Sequence, residues 1–394
     1  MYADSAGYGG GVNQAVEDDG TEAARGPVDW DLAARLAGQL ASPGPRATRG
    51  ELVDLVTTLR AAAREATAHA ARITELAPAD GTDPETDPVS LVQVVDRPGW
   101  AQANVRMLAA MMASVRGESA STGMRLAGAV QVGGVLALLA GKVLGQFDPF
   151  TADEHAPRGR LLLVAPNVLQ VERALGVEPA DFRLWIALHE QTHALQFAAA
   201  PWLADHLRAG ASVLLDDLGE LVPGGLVPGA GHGGSRPRGR DGGPSFADVV
   251  RIASRVLVGP HTAGADAGLL DLLSPAQRAQ LDEVGAVMSL LEGHADVAMD
   301  AVGPSVVPSV RHIRARFEAR RDAGAASHGL ERVLRRLLGL DAKLAQYRDG
   351  AAFVRDVRLA VGTTGLNAVW SAPEQLPTAR EIADPRAWVR RVHG

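Results

Sequence analysis

The stretch Trp185-Ile-Ala-Leu-His189-Glu190-Gln191-Thr192-His193-Ala-Leu-Gln196-Phe197 constrains this chain more than any other. Its pattern is helical. On a helix, positions i and i+4 share a face, so the imidazoles of His189 and His193 can reach one metal ion. Glu190 stands beside the first histidine and can take a proton from a water that such an ion activates. The flanks of the motif are apolar, and the intervening Gln191 and Thr192 are uncharged. A solvated surface helix with two stray histidines would leave Trp185, Ile186, Leu188 and Phe197 without a role. The fold therefore has to bury a helix that carries a metal site.

Composition narrows the choice of metal. The 394 residues include no cysteine, which excludes disulfides and thiolate ligands. The ion must be held by histidines and carboxylates, a donor set that suits Zn2+. A chain without disulfides also suits a reducing cytoplasm. The formal charge of -7 argues against nucleic acid as a partner, because a nucleic-acid binder normally carries a basic stripe. No membrane association is expected either. Leu126 to Gly145 is the one apolar suspect, but it contains Gln131 and Lys142. Its uncharged stretch is too short for a bilayer, which points to a buried helix.

The chain is 46% apolar, enough for a sizeable core. Residues 1–27 read as a disordered, acidic, Gly-rich tail without a signal peptide. Residues 28–394 read as a single, mainly α domain with few short strands. Helical patterning covers Asp29–Leu40, Arg49–Leu76, Gln102–Val115, Leu126–Leu144, Val168–Leu175, Asp181–Ala200 and Leu203–Leu221. It resumes over Phe246–Leu257, Pro275–Ala301, Val306–Ala323 and Leu330–Ala345, and the remainder reads as a tail. Leu91–Val95 and Arg160–Ala165 are the strand candidates. Asp96 to Trp100 reads as a turn with an aromatic anchor. Residues 222–245, dense in Gly, Pro and Arg, read as a flexible insertion.

A catalytic zinc site needs a third protein ligand and an open position. One group of zinc peptidases places a histidine soon after the motif, in H-E-x-x-H-x-x-G-x-x-H. Here the Gly and His places hold Gln196 and Ala199, so the third donor lies elsewhere. Glu292 and Asp296 are four apart on the apolar, helical stretch Val284–Asp300, the pattern of the Glu-type zincins. Glu292 is the candidate ligand. Asp296 could accept a hydrogen bond from a ligand imidazole and fix its tautomer. Gly293 would let the two helices approach closely. His294 and His206 stand as alternative ligands. Tyr347, Arg311 and His312 are candidates for stabilising charge in a transition state.

The stretch from Leu188 to Phe197, followed by Pro201-Trp202-Leu203 and His206-Leu207, resembles a bacterial family of zinc-dependent metalloproteases. Within that family the chain is most similar to a branch associated with biosynthesis of the deazaflavin redox coenzyme. Further matching stretches are Val95 to Trp100, Gly145 to Phe150, Leu291 to Asp296, Gln346 to Phe353, Asn367 to Trp370 and Leu376-Pro377-Thr378. The resemblance leaves out residues 222–245. It implies a zincin-like helical fold and hydrolase activity, and names no substrate. The expectation is a cytoplasmic zinc peptidase or amide hydrolase acting on a peptide or small amide. His189, His193 and Glu292 would bind the metal, with Glu190 as general base and then acid. The alternative is a zincin-like protein whose metal is structural and which works as a binding or scaffold protein. Glu190 argues against it, because a structural site has no use for a base.

Overall fold

Several helices begin where the sequence supplies a side-chain cap. The computed structural model describes residues 26–113, 120–220, 274–322 and 346–394. Asp29 caps α1 (Trp30–Leu40), accepting a hydrogen bond from Leu32 N at 2.9 Å. Thr48 and Glu51 form a reciprocal capping box at the start of α2 (Arg49–Thr74), and Ser274 and Gln277 do the same for α8 (Pro275–Ala301). Each box satisfies two of the N–H groups that a helix start leaves orphaned. Asp96 caps α3 (Arg97–Met112), with Pro98 in its first turn. The segment from Asp96 to Trp100 is thus a helix start and not a free turn, as an Asp followed closely by Pro favours.

Three short strands, β1 (Leu91–Val95), β2 (Gly145–Asp148) and β3 (Arg160–Val164), form one sheet in the order β1-β3-β2. The central β3 pairs parallel to β1 and antiparallel to β2. Leu161, Leu162, Leu163 and Val164 are all buried, because helices cover both faces of the sheet. Leu161 and Leu163 join the core built with α2 and with α6 (Pro179–Ala199). Leu162 and Val164 pack with α1, α3 and α4 (Thr122–Leu139). The expected strands are present at Leu91–Val95 and Arg160–Val164. β2 is additional, a four-residue segment too short to show alternation. The fold is mainly α.

The helix α4 is long and apolar enough to cross a membrane by length and composition. One face is buried against α1. Gly128 and Gly133 allow that approach: a Cβ on Gly128 would lie 2.6 Å from the Pro27 carbonyl oxygen, and one on Gly133 would lie 2.9 Å from that of Ala33. The other face exposes Met124, Leu126, Val130 and Leu138. The burial expected for this helix therefore holds on one side only.

The remaining described α-helices are α5 (Ala165–Leu175), α7 (Leu203–Glu220), α9 (Val310–Asp322), α10 (Gln346–Leu366), α11 (Ala379–Ala383) and α12 (Pro385–His393). The segment beyond Gln346, read from sequence as a tail, is mostly helical. Its Phe353, Val354, Val357 and Trp388 are fully buried. The expected helices Phe246–Leu257 and Leu330–Ala345, the insertion at 222–245 and most of the tail at 1–27 lie outside the described residues.

Gly293, expected to bring α8 close to the motif helix α6, brings it instead against α10: where α8 and α10 cross, their backbones touch. A Cβ on Gly293 would fall on the Gly350 carbonyl carbon and the Ala351 nitrogen, and one on Gly350 would fall on the Ser289 carbonyl oxygen. Only backbone lies there, and it cannot swing aside. Gly293→Ala should therefore destabilise the fold. Overpacking costs about 1–3 kcal/mol, and the crowding of rigid backbone puts this site at the upper end. The better helix propensity of alanine returns roughly 1 kcal/mol. The net effect is a lower denaturant midpoint with an unchanged slope. An unchanged or higher midpoint would show that the two helices can separate without cost.

Candidate active site

The motif helix α6 opens with Pro179 and has Asp181 in its first turn, where a negative charge suits the helix dipole. Asp181 Oδ2 also accepts a hydrogen bond from Ser309 N at 2.7 Å. Arg183 braces the helix from below. It grips the buried Glu172 of α5 through two hydrogen bonds of 2.9 and 3.1 Å and reaches Thr58 on α2 at 2.5 Å. Such a bidentate pair fixes direction as well as distance. From Phe182 to Leu188 every residue is buried, so the helix has no solvent face in its middle. Gln191 Nε2 donates to the Ala63 carbonyl of α2 at 2.8 Å, and Phe197 meets Phe147 of β2 with ring centres 5.5 Å apart.

These supports bring three donors together. His189 Nε2 and His193 Nε2 are 3.2 Å apart. Glu292, from α8, lies 3.4 Å from the first through Oε2 and 3.8 Å from the second through Oε1. Ligands held tetrahedrally at about 2.0–2.1 Å from zinc stand roughly 3.3 Å from one another. The observed spacings match that shape closely. His189 Nδ1 is buried without a hydrogen-bond partner, and no thiol is present. Two imidazoles and a carboxylate at this spacing could hold a metal ion.

Glu190 is buried beside this group. Its carboxylate lies flat against β2: a Cβ on Gly145 would come within 2.6 Å of Glu190 Cγ and 2.7 Å of Oε1. Gly145 thus belongs to the site; in the sequence it stands only as the first residue of the matching stretch Gly145 to Phe150, with no role attached. In the metal-free chain, burial pushes the Glu190 carboxyl up to about 7, with Glu292 adding to the rise and His189 opposing it. Burial alone would lower His189, but the Glu292 carboxylate outweighs it and lifts the imidazole to about 9. Burial would raise Glu292, yet the two histidines hold it down to about 2. His193 is lowered, chiefly by burial.

The other candidates are not among the three converging donors. Asp296, one turn further along α8, faces Arg314, with 3.7 Å between Oδ1 and Nη1. None of the hydrogen bonds described around the site joins it to an imidazole. Arg314 is itself fixed above the Trp185 ring at 5.2 Å and hydrogen-bonded to Asp300 at 2.7 Å, and the Asp296 charge still raises both His189 and His193. His294 is buried against Trp370, and burial pushes it down to about 3. His206 pairs with Glu283 at 3.8 Å and packs on Trp202. Arg311 and His312 are exposed on α9. Tyr347 falls in the first turn of α10, and its side chain lies outside the described residues.

The sequence profile of the zincin-like metallopeptidase family matches residues 28–389. No curated protein matches. Among solved structures, the chain is similar to a candidate hydrolase with a novel fold from Chloroflexus aurantiacus. The two share 28% identity with a TM-score of 0.58, over 92% of this chain and 98% of that one.

Proposed function

The chain belongs to the zincin-like metallopeptidase family, and from that premise we propose that it is a zinc-dependent hydrolase of peptides or small amides, working in the cytoplasm. The observation that carries this reading is the convergence of His189 Nε2, His193 Nε2 and Glu292 within 3.2 to 3.8 Å. Those three residues would hold the ion. When bound, zinc polarises a carbonyl and makes a water nucleophilic near neutral pH. Glu190 is not among the converging donors. It is therefore free to take a proton from the attacking water and to deliver it to the leaving amine nitrogen as the C–N bond breaks. Burial of Glu190 against the Gly145 backbone restricts its motion and keeps bulk water away. A structural metal would need the three ligands but not this fourth group, and that favours catalysis over a scaffold role. The likeness to the branch associated with deazaflavin coenzyme biosynthesis rests on sequence stretches alone, and no coenzyme is assigned to the site.

Protein expressed with zinc available should carry about one zinc per chain, measured by elemental analysis, and lose it to a chelator. Incubation with a peptide library, read by mass spectrometry, should give cleavage that the chelator abolishes and added zinc restores. Absence of any bound divalent metal would overturn the reading. One zinc per chain with no cleavage of any peptide or amide would turn it toward the scaffold role.

A further inference from the structure

We propose that Gln196 is a positioning residue that holds His193 in its metal-binding tautomer and ties the Glu292 helix to the motif helix. The inference rests on the zinc reading above and extends it to a residue outside the ligand set.

The argument starts from the amide. The oxygen and nitrogen of a glutamine have nearly the same shape, so its orientation follows from its partners. Gln196 is fully buried. One end lies 3.0 Å from the Leu291 carbonyl oxygen, which can only accept, so that end is the NH2 group. Its second hydrogen goes to His294 Nδ1, also at 3.0 Å. The other end must then be the carbonyl oxygen, and it lies 2.9 Å from His193 Nδ1. A carbonyl oxygen cannot donate, so His193 carries its proton on Nδ1. The lone pair is left on Nε2, which faces His189 Nε2 and Glu292 Oε1. That is the form a metal-ligating imidazole requires.

The same side chain sets the position of Glu292. The Leu291 carbonyl belongs to the residue immediately before it on α8. One buried amide therefore orients the second histidine and anchors the backbone beside the carboxylate. A carboxylate in place of the amide would still accept from His193. It would, however, meet the Leu291 oxygen with another acceptor.

The test uses two variants of the full chain with zinc as the probe. Gln196→Met keeps the volume and removes all three hydrogen bonds. Gln196→Glu keeps the acceptor for His193. By chelator competition, Gln196→Met should bind zinc about 10- to 100-fold more weakly than wild type, the usual loss for an orienting residue. Gln196→Glu should fall between the two. Histidine-selective 15N spectra of the metal-free chain should show His193 protonated on Nδ1 in wild type and a mixture of tautomers in Gln196→Met. Wild-type zinc affinity in Gln196→Met would overturn the assignment, as would equal losses in both variants or a wild-type His193 protonated on Nε2. Wild-type protein that binds no zinc would instead overturn the metal reading, and the tautomer spectra would still decide the role of Gln196.

Discussion

Glu190→Gln should leave the zinc content at its wild-type level and lower cleavage of any wild-type substrate by about 10²- to 10⁴-fold, the span that a positioned general base contributes. The substitution is close to isosteric, so the packing against Gly145 survives. The amide has no basic oxygen able to take the proton, and it cannot return one to the leaving nitrogen. Glu190 is not among the three converging donors, so the ligand set is kept. Side-by-side elemental analysis and peptide cleavage are the measurements. Loss of zinc in the variant would show that Glu190 is itself a ligand. Undiminished cleavage would remove it as the base.

Glu292→Ala should weaken zinc binding by well over the roughly 10- to 100-fold that losing an orienting residue costs. It removes the only carboxylate among the three converging donors and leaves two imidazoles to hold the ion. His294→Ala and His206→Ala should bind zinc far better, because neither ring is among those donors. His294 should show an intermediate effect through its hydrogen bond to Gln196, and His206, paired with Glu283, almost none. Competition with a chelator ranks all three. If Glu292→Ala binds like wild type while a histidine variant does not, the site uses three histidines.

Much of this was legible in the sequence because it is local. The two histidines share a face by helical spacing alone, and α8 runs over Pro275–Ala301 as its helical pattern predicts. The strands β1 and β3 are short β-branched or leucine runs and read as such. What the sequence did not carry depends on how separate elements meet. β2 exists because β3 offers it an edge, and its Gly145 matters because α6 lays Glu190 on it. The turn read at Asp96 became a helix start once Trp100 was buried in the core. Asp296 lies one turn beyond Glu292 on α8, and its ion pair with Arg314 of α9 joins elements that the spacing on α8 cannot relate. Gln196 marked only a missing glycine in a ligand pattern. The crossing of α6 and α8 then set its amide between His193, His294 and the Leu291 carbonyl. Helical spacing says which residues share a face. Which partner that face meets is decided by the crossing of helices, here α6 on α8 through Gln196 and the Leu291 carbonyl, residues far apart in the chain.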